Sequence, residues 1–404
     1  MNDTGKKYII FGCDLFLSKG GVSDYTDNFA KKLNENNILK YVVTPYGRLG
    51  DSVYEIKKIP IPLFRGKFLF DKVIVLSKII TLLYYLNFYF RCYIELRKLK
   101  AENATIIFTE YYTDKFDILI YITSLLKIKY QIVLHGLDII TAKEKKFIHF
   151  DNNIKNAELI IFNSKATKEL YNTTFSIQYN DSFILYPGID LSYIDKNFLS
   201  NTADTVIIRK VPEEIVFSTV SYFRKRKGID RAIKIVYNLH KKNPNIKYYI
   251  AGDGIEKENL KLLVKSLNAG EFIKFLGNID DLTKYQLLKQ SDVFILPNYS
   301  VNNSDFEGFG ISFIEASLCH NLVIGGNHGG VKEAVLNNIT GYLLDFDDEE
   351  CIDRNAVFIE KCLMDKKQCD EIKNAGVKYV KDNYDWSVLI NKFIMHNSQR
   401  HVTS

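Results

Sequence analysis

Hydrophobic and polar positions along this chain follow two alternating patterns. Short unbroken runs rich in Ile, Val, Phe and Tyr are separated by longer stretches in which apolar residues stand three and four apart. The runs are too short for helices and are bounded by Gly, Asn, Asp or Pro, so they predict strands buried on both faces, with helices between them. In the first half the predicted strands are 8–11, 41–44, 105–108, 131–135, 159–163 and 183–186, with helices near 22–34, 72–99, 116–126 and 165–171. In the second half strands are predicted at 214–221, 247–251, 272–276, 293–297, 322–324 and 341–344. Repetition of this kind builds parallel sheets with helices on both faces, so the expected class is α/β with two doubly wound, Rossmann-like domains. The stretch 195–214 is polar, lacks periodicity and contains Pro212, which sets the expected boundary between a domain over 1–195 and one over 213–384. The tail from 367 to 393 reads as amphipathic helix and holds the only tryptophan, Trp386; a helix at about 385–404 is a candidate to pack back onto the first domain.

One run breaks the rhythm. "VIVLSKIITLLYYLNFYF" (73–90) approaches the length of a bilayer span, yet Lys78 lies inside it. Cations and aromatics flank it, among them Lys58, Arg65, Lys67, Lys72, Arg91 and Arg97. Three readings stand: a buried helix of the first domain, a helix that also touches a membrane through 57–100, and a true span.

Composition narrows this only a little. With 404 residues, 47% hydrophobic and 25% charged, the chain has enough apolar mass for two cores. The net charge of +6 is mild and suits acidic small molecules or anionic lipid. Six cysteines without CxxC spacing argue for reduced core thiols, and the N-terminus lacks the apolar length of a signal peptide. A cytoplasmic protein is expected.

In parallel sheets, ligands bind beyond the carboxyl ends of the strands, and four loops there carry candidate chemistry. After the first strand, Gly20 and Gly21 precede a helix, as either a tight turn or a close approach to a phosphate or sugar. In "QIVLHGLD", His135 leaves a strand end and faces a ligand or serves the core; no HxxxH spacing accompanies it, so a metal site is not expected. "VSYFRKRKGID" places four cations at 224–227 before Gly228, either a solvated face or a clamp for a pyrophosphate. In "DFEGFGISFIEAS", Gly308 and Gly310 allow a turn that presents free amides at a helix start, with Glu307 ahead of the helix and Glu315 inside it. A carboxylate buried at Glu315 needs donors, and a ribose supplies two hydroxyls. "DFD" at 345–347 reads as a turn.

Taken together, "SKGGVSDYTDNFAKKL", "VLHGLD", "LYPGID", "VSYFRKRKGID", "YYIAGDGIEKENL", "IKFLGNID", "SDVFILPN", "EGFGISFIEAS" and "GGVKEAVLNNITGYLLD" resemble the retaining glycosyltransferase family 4 in order and spacing, with the weakest likeness over about 50–130. The resemblance implies the GT-B fold, two Rossmann-like domains facing across a cleft. It implies an enzyme of the hexosyltransferase kind that moves a sugar from a nucleotide sugar, a UDP- or GDP-sugar, with retention and without a metal or other cofactor. It implies that Glu315 binds the ribose, while Glu307 and the amides of Phe309, Gly310 and Ile311 hold the sugar and pyrophosphate. Gly21, with Gly20, would approach the diphosphate, Lys227 would neutralise it, and His135 would lie by the sugar.

The chain departs from the family pattern in two places. A Gly-Arg pair is replaced by Ser221-Tyr222, leaving Arg224 or Arg226 to supply the missing cation, and "GGVKE" has Lys332 where the family has proline. The expected acceptor is lipid-linked or a growing polysaccharide, as in O-antigen, capsule or lipopolysaccharide synthesis. That work would be done peripherally on the cytoplasmic face of a membrane, with no nucleic acid partner. The competing readings are a sugar-nucleotide epimerase, a phosphorylase, or a degenerate, non-catalytic partner, which Tyr222 would favour.

Overall fold

The structure, a computed structural model, describes residues 6–12, 20–44, 53–58, 74–199, 208, 211–301, 306–348 and 350–400, with backbone only for 74–85 and 88. The chain divides into two compact units, Met1–Leu185 with Ile390–Ser404, and Tyr186–Leu389.

The first unit is built on β1 (Tyr8–Phe11), β2 (Leu39–Thr44), β3 (Ile56–Lys58), β4 (Thr105–Phe108), β5 (Tyr130–Leu134), β6 (Leu159–Phe162) and β7 (Ser182–Ile184). Their order in the sheet is β3-β2-β1-β4-β5-β6-β7, with every pair parallel. All residues of β1, β4, β5 and β6 are buried, as a sheet covered by helices on both faces requires. β3 was not among the predicted strands: three residues, two of them lysines, give no apolar run. It forms at the sheet edge, where the Lys57 ammonium lies 3.5 Å from the Tyr41 ring centroid.

The segment 57–100 therefore begins in a strand. Its helix, Ile74–Lys100, buries Cys92, Leu96 and Leu99 while Leu86, Phe90, Tyr93, Arg91, Arg97 and Lys98 are exposed. Among the described residues no helix is long and apolar enough to cross a membrane. Arg65, Lys67 and Lys72 lie outside the described residues. The end of the chain closes this core: Phe393 sits 5.7 Å from Tyr8, 5.2 Å from Phe29 and 6.1 Å from Phe183, ring to ring, and Gln131 donates to Asn397 at 2.8 Å.

The second unit is built on β8 (Ile215–Val220), β9 (Ile246–Ala251), β10 (Ile273–Gly277), β11 (Val293–Leu296), β12 (Leu322–Gly326) and β13 (Tyr342–Leu344). Their order is β10-β9-β8-β11-β12-β13, again all parallel. Trp386 is fully buried in this unit. Cys92 in the first unit and Cys319, Cys351, Cys362 and Cys369 in the second are free and buried; burial pushes the Cys92 and Cys319 thiols up to about 12.

Each sheet starts at an inner strand, grows outward to one side and then resumes on the other. The reversal falls between β1 and β4 in the first unit and between β8 and β11 in the second. Loops leaving the carboxyl ends of those strands part in opposite directions, which opens a crevice there.

Candidate functional site

At the β8/β11 reversal the loops of the second unit bring charge together. After β8, a single tight turn, Lys225–Lys227, ends at Gly228 and leads into the helix Ile229–Lys242. The turn aims Arg226 and Lys227 at one target: both side chains donate to Oε2 of Glu307, and Asn298 Nδ2, two residues past the end of β11, donates to the same oxygen at 2.7 Å. All three charged side chains are largely buried. Burial alone would raise the Glu307 carboxyl, but Lys227 and Arg226 outweigh it and hold the group down at about 2. Among the described residues Oε1 of Glu307 receives no hydrogen bond, so one oxygen is anchored and the other is open.

The backbone around this cluster is held by close packing. The Glu307 carbonyl accepts from Gly330 N at 2.9 Å. A Cβ on Gly326, at the end of β12, would stand 1.6 Å from the Asn298 carbonyl oxygen, so only glycine lets that strand end approach the loop carrying Asn298. Gly310 has φ +92°, a left-handed conformation that starts the helix Ile311–Leu318 at a sharp angle. The Phe309 ring is turned into the core, 5.5 Å from Tyr186 and 5.1 Å from Tyr384, so it is the backbone of 309–311 that is left to meet a ligand. The first amides of a helix have no partner within it. Gly308 sits between these two devices and is half-buried.

Glu315, the fifth residue of that helix, is buried and meets a different set of groups. Lys284 Nζ donates to its Oε1 at 2.6 Å, and the Tyr285 hydroxyl donates to the same Oε1 at 3.2 Å. Burial would lower the Lys284 ammonium, but Glu315 and Asp281 hold it well above the usual lysine range. Arg224, by contrast, stays outside both clusters: it is exposed, with its guanidinium 5.5 Å from the ring of Tyr222, itself 54% exposed.

In the first unit, His135 follows β5 directly and is buried. Its Nε2 lies 3.0 Å from the Thr109 carbonyl, which only accepts, so Nε2 carries the hydrogen. Burial lowers the ring to about 4, against the raising effect of that carbonyl, so His135 is neutral at pH 7 with Nδ1 as an acceptor. The Tyr25 ring packs edge-on against it at 5.0 Å. Its backbone is fixed by Asp138, whose carboxylate accepts from the amides of His135, Gly136 and Ile139 at 2.8–3.0 Å. Gly20 and Gly21 stand at the start of the helix Gly21–Glu35; Gly20 is extended, and a Cβ there would meet nothing within 4 Å. Neither its backbone nor the described packing demands glycine at 20.

The structure thus joins Arg226, Lys227 and Glu307 in one cluster, sets Glu315 in a second within the same unit, and leaves Arg224 apart. Sequence reasoning missed Asn298, Lys284, Tyr285 and Asp138. Asp138 carried a readable signal, a short acceptor four residues past the end of β5 in the first turn of a helix. Lys284 carried none, because a lysine in an amphipathic helix looks like any solvated one.

Residues 201–379 match the family described as "Glycosyl transferases group 1". A GDP-mannose-dependent alpha-(1-6)-phosphatidylinositol monomannoside mannosyltransferase of Mycobacterium tuberculosis is 27% identical over 245 residues, 58% of this chain and 60% of that protein. The O-antigen biosynthesis glycosyltransferase WclY of Escherichia coli is 34% identical over 148 residues, 36% of this chain and 37% of its own length. The match spans under two thirds of each relative. Among solved structures, Anabaena HepE in complex with UDP and glucose aligns over 98% of this chain and 100% of its own, with a TM-score of 0.70 and 17% identity. A glycosyltransferase from Rickettsia africae aligns over 98% of both chains, with a TM-score of 0.72 and 16% identity. The fold is the one these structures share, GT-B.

Proposed function

We propose that this protein is a glycosyltransferase that moves a sugar from a nucleoside diphosphate sugar to a hydroxyl of a lipid-linked or polysaccharide acceptor, with retention, in the synthesis of a cell-surface glycan. The observation that carries the reading is the convergence of Arg226 and Lys227 on one buried carboxylate at the β8/β11 reversal, inside the stretch that matches the transferase family. Departure of a diphosphate leaves an oxocarbenium-like sugar and a growing negative charge, so the dominant catalytic need is positive potential at the leaving group. Lys227 and Arg226 supply it, and Glu307 holds both cations ready until the diphosphate shares them. The open Oε1 of Glu307 then accepts from a sugar hydroxyl.

Arg226 is the residue this reading assigns in place of the family arginine missing at Tyr222, since it, and not Arg224, stands beside Lys227. Glu315 is assigned to the ribose, and the amides of 309–311 with those near Gly20 and Gly21 to the diphosphate. His135, neutral and with Nδ1 as its acceptor, suits a hydroxyl of the sugar rather than a proton donor's task. For the acceptor side, the exposed Leu86, Phe90 and Tyr93 with Arg91, Arg97 and Lys98 on one helix favour a peripheral seat on an anionic membrane. A degenerate, binding-only protein is the second reading, and the exposed Tyr222 is its support.

A thermal-shift panel of UDP, GDP, ADP and CMP tests the donor class, because a ligand at 100 times its Kd adds roughly 2.7 kcal/mol to the folded state. One nucleoside diphosphate is expected to stand out. No stabilisation by any of them sinks the reading; stabilisation without sugar transfer to any acceptor extract leaves the binding-only protein.

A further inference from the structure

The two hydrogen bonds that Glu315 accepts fall on a single oxygen, and that asymmetry says more than its burial does. Lys284 Nζ and the Tyr285 hydroxyl both reach Oε1, while among the described residues Oε2 receives none. The donors are themselves held: Lys284 is also paired with Asp281 at 3.1 Å, and the Tyr285 ring is stacked on Phe198 at 5.0 Å with an interplanar angle of 11°. A carboxylate pinned at one oxygen by two fixed donors has a defined plane, and its second oxygen points one way. Oε2 is not among the fully buried polar atoms that lack a partner, so it is the oxygen left accessible to a ligand.

We propose that Lys284 and Tyr285 are positioning residues that turn Glu315 into a single-oxygen acceptor for a vicinal diol, so that the site selects ribose over 2′-deoxyribose in its nucleoside diphosphate. The inference rests on the assignment of Glu315 to the ribose made above and adds the residues that make that contact selective. Lys284 and Tyr285 both act through their hydrogen bonds, which fix the orientation of the carboxylate.

The test is calorimetric titration of the full chain with the nucleoside diphosphate that stabilises it and with the 2′-deoxy form. Wild type, Lys284→Met, Lys284→Arg and Tyr285→Phe are compared. Wild type is expected to prefer the ribo form by roughly 10- to 100-fold, the range for one hydrogen bond to a charged group. Lys284→Met should bring the ribo form close to the deoxy form. Lys284→Arg should restore the preference, and Tyr285→Phe should reduce it. A structural role alone would not move the ratio of the two ligands. Should Lys284→Met not fold, the wild-type ratio and Tyr285→Phe decide. A wild type that binds the ribo form without distinguishing the 2′-hydroxyl overturns this inference and leaves the proposed function standing. So does a Lys284→Met protein with an unchanged ratio. Failure of every nucleoside diphosphate to bind wild type overturns both.

Discussion

Replacing Glu307 with glutamine tests the site through stability before any substrate is known. The carboxyl is held at about 2 by Lys227 and Arg226, against an ordinary 4.5. That depression corresponds to on the order of 3 kcal/mol of folding free energy. The folded-state value is lowered, so the contribution is complete above pH 4.5 and is lost as the pH falls toward 2. Glutamine has nearly the same shape but is neutral, like the protonated acid. Urea denaturation of both proteins should therefore show Glu307→Gln less stable by about 3 kcal/mol from pH 8 to 5. The gap should narrow by roughly 1.4 kcal/mol for each pH unit below 4.5. Other acid-sensitive groups, such as His135, contribute equally to both proteins and cancel in the difference. Glutamine also removes the carboxylate charge that both cations share, so a nucleoside diphosphate should still stabilise the variant. Turnover should nevertheless fall on the order of 10²-fold, the size of losing one preorganised electrostatic group. Equal stability at pH 7, or a gap that persists unchanged at pH 3, would refute the reasoning.

Alanine at Lys227 or Arg226 should each lower kcat/KM on the order of 10²-fold in a sugar-transfer assay, whereas alanine at the exposed Arg224 should change it by less than about 3-fold. Gly326→Ala must push the Asn298 carbonyl away and should cost about 1–3 kcal/mol by thermal or chemical denaturation, with a loss of activity through the displaced Asn298. Joint replacement of Arg91, Arg97 and Lys98 by glutamate should abolish sedimentation with anionic vesicles and leave nucleoside diphosphate binding intact; undiminished co-sedimentation would argue against that face.

Much of the fold was legible because parallel sheets announce themselves. Strands such as Ile106–Phe108 within β4 or Val293–Leu296 are buried on both faces and leave unbroken apolar runs in the sequence. β3 was not legible, since an edge strand of Ile56, Lys57 and Lys58 owes its place to pairing with β2 and to the Tyr41 ring. In the site, the glycines and glutamates showed through their spacing, because turn geometry is local. The choice between Arg224 and Arg226 did not, since it depends on which way a three-residue turn rotates each side chain. The partners of Glu315 were hidden for a similar reason: Lys284 stands 31 positions away, and only the sheet brings it near.

The buried thiols offer a consequence of a practical kind. Cys92 is shielded in one unit and Cys319, Cys351, Cys362 and Cys369 in the other, all protonated and out of reach of reagents while their surroundings stay closed. With Cys13 changed to serine, the rate at which each thiol is alkylated becomes a clock for the opening of its own half of the chain. Nucleotides that slow the clock at Cys319, beside the end of the Glu315 helix, and not at Cys92 would reveal which half they brace.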